Sequence, residues 1–160
     1  MRRTARDILE EKGGHMITIS HDATVYQAVK VMVQNRIGSL VVVDEGRIIG
    51  IWTERDLLYR ALEEGFDPRT ELVSAGMSRN LISAEMDEHA YQLYDKFLGQ
   101  RIRHLLIRDH GEYIGILSSG DVMRANLQQR TEDYRDLNEM VSFEYYENWK
   151  LRQQETAALR

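Results

Sequence analysis

Two heptapeptides of one pattern carry the most chemistry in this 160-residue chain: Gly50-Ile51-Trp52-Thr53-Glu54-Arg55-Asp56 and Gly115-Ile116-Leu117-Ser118-Ser119-Gly120-Asp121. In each, an apolar run gives way to a hydroxyl residue, and an aspartate follows three positions later. A hydroxyl at a helix start, beside backbone N–H groups that lack intrahelical partners, can face an anion such as phosphate. An aspartate in the same first turn can accept hydrogen bonds from both vicinal hydroxyls of a ribose. The same spacing also makes a capping box, with the hydroxyl on the N3 amide and the carboxylate reaching back. A single occurrence reads as a cap.

The pattern occurs twice because the chain is duplicated. Residues 17–56 lie over 82–121 at a constant offset of 65 without a gap, and 13 positions are identical. Ile37/Ile102, Asp44/Asp109, Gly46/Gly111, Gly50/Gly115 and Asp56/Asp121 are among them. Each copy predicts the same succession of elements. A short strand, Ile17–Ile19, leads through a bend at Asp22 into a helix with Val25, Ala28, Val29, Met32 and Val33 at helical spacing. A continuous apolar run, Leu40–Val43, reads as a strand buried on both faces; the turn Asp44-Glu45-Gly46 joins it to a strand over Ile48–Trp52. A second helix starts near Glu54 with Leu57, Leu58, Ala61 and Leu62 on its apolar side. Residues 63–71 hold the only proline and read as the linker. One such unit is too small to bury its sheet alone, so the copies are expected to pack sheet to sheet about a pseudo-twofold axis.

Composition removes several classes. With no cysteine there is no disulfide framework, thiolate zinc site or cysteine nucleophile. The net charge of −5 argues against a general nucleic-acid surface. No apolar run suits a membrane span or a signal peptide, so a cytoplasmic location without membrane insertion is expected. The histidines His15, His21, His89, His104 and His110 show no metal-ligand spacing, and no nucleophile-base order suggests catalysis. The reading is therefore of a non-enzyme with no metal site and no required cofactor.

The strings IGSLVVVDEGRIIGIWTERDLL and IRHLLIRDHGEYIGILSSGDVM, with DATVYQAVKVMVQNRI before the first, resemble the CBS (cystathionine β-synthase) domain pattern over roughly residues 7–127. The resemblance implies an α+β fold of two tandem β-α-β-β-α repeats, at 7–65 and 66–127, with a C-terminal helical extension at 128–160. It further implies clefts built from both repeats that take an adenosine-containing ligand: AMP, ADP, ATP or S-adenosylmethionine. One cleft would join Thr18, Ala23, Ile37, Gly38 and Ser39 to Ile116, Ser118 and Asp121. Its mate would join Ser83, Ile102, Arg103 and His104 to Ile51, Thr53 and Asp56. Recurrence within such a family shifts the weight at Asp56 and Asp121 from cap alone toward ribose contact, and the roles do not exclude each other. Arg103 and His104 stand where some members place a basic pair that meets phosphates; Gly38 and Ser39 stand there in the first copy. Glu88, in place of Ala23, adds a negative charge that makes the Asp121 cleft the cleaner expected site.

The function expected is a regulatory ligand-sensing module, homodimeric and signalling to a separate effector protein; the alternative is a ligand-independent dimerisation scaffold. In the extension, Tyr134, Leu137, Val141, Tyr145 and Trp149 form one apolar stripe, expected to pack on the chain's own domain or on its twofold mate.

Overall fold

The computed structural model of the chain describes residues 3–14 and 16–135. In chain order it runs α1 (Ala5–Lys12), β1 (Thr18–Ser20), α2 (Val25–Asn35), β2 (Ser39–Asp44), β3 (Arg47–Thr53), α3 (Glu54–Arg60), α4 (Val73–Gly76), β4 (Ser83–Glu85), α5 (Ala90–Gly99), β5 (His104–Asp109) and β6 (Glu112–Ser118). A further helix, α6, occupies residues 119–135 as far as the described residues run. The strands form two three-stranded sheets, β1-β2-β3 and β4-β5-β6. In each the first pair is parallel and the second antiparallel, so the α+β duplication is realised as two like halves. Among the described residues no helix is long and apolar enough to cross a membrane.

Local chemistry repeats with the sequence. Thr24 caps α2: its hydroxyl accepts the Gln27 N–H at 3.3 Å and the Gln27 side chain accepts the Thr24 N–H at 2.8 Å. Gln92 does the same for the His89 N–H at 2.8 Å, which explains the identical glutamines. The hairpin turns use left-handed pairs, Glu45 and Gly46 (φ 44° and 78°) and His110 and Gly111 (φ 49° and 88°). Such pairs match the twist of the strands they join.

β2 is buried on both faces, as its unbroken apolar run predicts. Leu40 and Val42 enter the first repeat's core with Val25, Ala28, Met32 and Trp52. Val41 points the other way and meets Ile51 and Leu106 in the seam where the two sheets face each other. Met16, Ile48, Leu81, Tyr113 and Ile116 surround that seam. Burying each such aliphatic side chain is worth about 1.5–3 kcal/mol, which is why neither half suits isolation.

Each repeat's core is completed by the helix that opens the other repeat. α1 packs its Ala5, Ile8 and Leu9 against Leu93, Phe97, Leu105, Leu117 and Val122 of the second repeat. α4 delivers Val73 and Met77 to Trp52 and the core of the first. The anchoring is symmetric: the Ala5 N–H donates to Glu88 O at 2.8 Å, and the Val73 N–H to Ala23 O at 2.8 Å. This exchange fixes the glycine of each heptapeptide. A Cβ at Gly50 would stand 2.5 Å from Met77 Sδ, and one at Gly115 would stand 2.5 Å from Leu9 Cδ1. The linker is ordered too, since Pro68 O and Glu71 O accept the Tyr26 and Val25 N–H groups at 2.7 and 2.9 Å.

Some expected core residues lie outside. α3 ends at Arg60, Leu57 alone of its stripe packs against the core, and Leu58 and Leu62 are 67% and 86% exposed. Val33 on α2 is likewise exposed. Helical periodicity marks an apolar face without saying that a neighbour in the same chain covers it. Of the C-terminal stripe only Tyr134 falls within the described residues, where it is exposed; Leu137, Val141, Tyr145 and Trp149 lie outside them.

Candidate functional site

Both heptapeptides form the capping box. Where β3 meets α3, the Thr53 hydroxyl and N–H donate to Asp56 Oδ2 at 2.7 and 2.8 Å. Where β6 meets α6, the Ser118 hydroxyl and N–H donate to Asp121 Oδ2 at 2.7 and 2.8 Å. In both cases the bonds converge on one carboxylate oxygen. Capping therefore leaves the second oxygen of each aspartate free for another partner.

The surroundings of the two aspartates differ. Asp56 lines a cavity of about 270 Å³ built from both repeats. Ile51, Thr53 and Asp56 line one side; Ile82, Ile102, Arg103 and His104 line the other, with Ser78 and Asn80 between. Of the seven residues expected in this cleft the structure brings six together; Ser83, at the start of β4, does not line it. Gly38, expected in the mate, lines this cavity instead, alongside Glu54, Arg55 and Leu58. Arg55 is exposed and donates to Arg101 O at 3.1 Å. Among the described residues no cation pairs with Asp56. Glu88, expected to place a negative charge here, is held by Lys96 Nζ at 2.6 Å and by the Glu85 N–H at 2.8 Å, and it is not part of the lining.

Asp121 is engaged by the N-terminal helix. Lys12 Nζ donates to Asp121 Oδ2 at 2.9 Å and to Ile116 O at 2.9 Å. Asp121 and Lys12 line a second cavity, of about 450 Å³, with Glu11, Arg124 and Gln128 on the facing surfaces of α1 and α6 and Arg3 just ahead of α1. The first-repeat residues expected beside Asp121 do not line that cavity. Thr18 is exposed on β1 opposite Val41, Ala23 is tied to Val73 through the backbone, and Ile37 packs against the first core. Ser39 is buried opposite Thr53 in the sheet register.

Burial and charge set the protonation of this region. Burial opposes ionisation of Asp121, but the Lys12 hydrogen bond, the Ser118 N–H and hydroxyl and the Lys12 charge together hold its carboxyl below the usual value. For His104, burial first, then the Lys12 and Arg103 charges, push the imidazole down to about 4, against a smaller opposing pull from Asp121. His104 is consequently neutral at physiological pH, and Arg103 alone supplies charge from that pair.

Sequence reasoning missed Lys12, Ser78, Asn80 and Ile82. The first three lie outside the segments that match at the offset of 65, so no repeat identity flagged them, whereas Ile82 is identical to Ile17 and reads only as part of the repeat.

The family model for the CBS domain matches residues 5–63 and 71–128, one copy on each half. The chain belongs to the CBS-domain family. A relative in Arabidopsis thaliana, the mitochondrial CBS domain-containing protein CBSX3, is 34% identical over 152 residues, spanning 89% of this chain and 73% of its own length. The crystal structure of a CBS-domain protein from Agrobacterium tumefaciens, ATU1752, superposes with a TM-score of 0.75 at 31% identity, covering 79% of this chain and 95% of that one. The CBS pair of the protein MJ0100, solved in complex with 5′-methylthioadenosine and S-adenosylmethionine, matches with a TM-score of 0.69 at 25% identity over 81% and 99% of the two chains.

Proposed function

We propose that this CBS pair is a regulatory module that takes an adenosine-containing ligand, from among AMP, ADP, ATP and S-adenosylmethionine, in the cleft lined by Thr53 and Asp56. The observation that carries the reading is the composition of that one cavity: a carboxylate that no cation among the described residues pairs with, three isoleucines and an arginine converge from both repeats. Ile51, Ile82 and Ile102 offer apolar faces for the base, Asp56 a carboxylate for the ribose hydroxyls, and Arg103 a planar cation for a phosphate or carboxylate. Neutral His104 adds a hydrogen-bonding group at the same wall. The adenosyl ligands of the MJ0100 pair support this chemical class. No step of catalysis is assigned to the cleft; ligand seated between repeats biases their relative packing, which alters signalling only if one arrangement binds better than the other.

The output is proposed to pass through a homodimer to a separate effector protein. Four pairs of exposed apolar residues recur at equivalent positions of the two repeats: Tyr26/Tyr91, Val33/Leu98, Leu58/Met123 and Leu62/Leu127. Exposed apolar residues that recur with the chain's internal duplication suit a second copy of the chain, because an isologous interface uses one patch on both subunits.

The test is thermal unfolding with each of the four ligands. A ligand at a hundredfold excess over its Kd adds about 2.7 kcal/mol, and Asp56→Asn should abolish that gain. Absence of a shift with all four, on protein freed of any co-purified ligand, refutes the reading.

A further inference from the structure

The two ribose-type aspartates are chemically equivalent in sequence and unequal in the folded chain, and one of the differences is a cation held on Asp121. Leu9 and Met77 hold equivalent places over Gly115 and Gly50. Beyond them the paths part. After Met77 the chain leaves α4 and runs beside β3, where the Ser78 N–H donates to Ile51 O at 2.9 Å. After Leu9 the helix continues to Lys12 and stops at Gly13 and Gly14, both left-handed at φ 90° and 67°. The extra turn puts an ammonium where the first repeat has a backbone N–H: Lys12 Nζ takes the carbonyl of Ile116, the counterpart of Ile51, and the Asp121 carboxylate in one fork. The corresponding residue three positions past Met77 is Asn80, which lines the Asp56 cavity and carries no charge.

We propose that Lys12 is an internal stand-in for ligand at the second repeat, holding Asp121 so that the chain binds one adenosyl ligand, at Asp56, rather than two. This rests on the nucleotide reading of the Asp56 cleft. Asp121 is already fixed by the Ser118 cap, so the Lys12 ammonium meets a carboxylate held in place, with its own side chain 32% exposed. Lys12 donates to the Oδ2 that the cap already uses, so a ribose reaching the other oxygen of Asp121 meets an ammonium seated on the same carboxylate, whereas at Asp56 it meets no bound cation among the described residues. Since α1 opens the first repeat yet seals the second, a pull on α1 would free Asp121 and raise the number of ligands bound.

The experiment is equilibrium dialysis of the full chain with radiolabelled AMP, ATP and S-adenosylmethionine, each alone, on the unmodified protein, Lys12→Ala and Lys12→Gln. Both variants keep a helix-forming residue, and circular dichroism verifies the fold. The expected result is one equivalent per chain for the unmodified protein and two for either variant, falling back to one when Asp121→Asn is added to Lys12→Ala. Two equivalents on the unmodified chain, or no gain in both variants, overturns the stand-in role while leaving the Asp56 reading in place. Failure of every protein to bind any of the three overturns both. A readout free of ligand runs beside it: by carboxyl-carbon NMR the Asp121 midpoint should rise in Lys12→Ala, and an unchanged midpoint removes the contact on which the proposal stands.

Discussion

Acid should weaken this fold well before its carboxylates titrate, and His104 is the reason. In the unfolded chain its imidazole takes a proton near pH 6.5, whereas in the fold it resists until about pH 4, because burial and the positive charges of Lys12 and Arg103 disfavour the imidazolium. Below pH 6.5 the unfolded state therefore binds a proton that the native state refuses, and stability falls as pH falls. The loss is complete near pH 4, where the folded group titrates as well. The interval between 6.5 and about 4, at about 1.4 kcal/mol per pH unit, amounts to about 3 kcal/mol. Asp121 works in a separate window: its lowered carboxyl contributes stability that is lost only as pH drops through the folded value, below 3.8. The perturbation is His104→Gln, which keeps a hydrogen-bonding side chain and cannot titrate. Urea unfolding at pH 7.5, 6.5, 5.5 and 4.5 should show the native protein losing about 1.4 kcal/mol more per pH unit than the variant below pH 6.5. Parallel curves for the two proteins, or an imidazole NMR midpoint near 6.5 in the folded state, would refute the argument.

Other outcomes follow from packing and surface. Gly115→Ala places a methyl 2.5 Å from Leu9 Cδ1 and should cost about 1–3 kcal/mol in urea unfolding; adding Leu9→Ala should make the two changes strongly non-additive, since they share one space. Gly50→Ala should be similarly costly, for besides Met77 Sδ its Cβ meets Ser78 O at 3.1 Å, and a backbone atom cannot swing aside. Leu58→Asp together with Met123→Asp should leave unfolding nearly unchanged while halving the mass by sedimentation, because both side chains are mostly exposed in the single chain. An unchanged mass would remove these residues from the proposed dimer.

Much of the architecture was legible because the chain states it twice. The offset of 65, the unbroken apolar run of β2 and the Asp-x-Gly turns each reappear as geometry, down to a bulge between Val42 and Val43 that recurs between Ile107 and Arg108. What was not legible depends on which part meets which. Arg3–Leu9 and Glu71–Met77 do the same work in opposite repeats and share no residue in register, since packing across a seam needs apolar bulk and not identity. Hence neither the exchange of α1 and α4 nor the need for Gly50 and Gly115 could be read in advance. The candidate site divided along the same line. Ile51, Thr53, Asp56, Ile102, Arg103 and His104 share one wall-to-wall cavity; Asp121 meets Lys12, whose position depends on the length of α1 rather than on any motif.

Asp56 is proposed to hold an adenosyl ligand between the repeats. Isothermal titration of ATP, AMP and S-adenosylmethionine into the native protein and Asp56→Asn tests it most directly. The expected result is saturable binding of at least one of the three to the native chain and at least a tenfold loss of affinity, about 1.4 kcal/mol, in the variant. Equal affinity in both proteins, or binding to neither, would contradict the account.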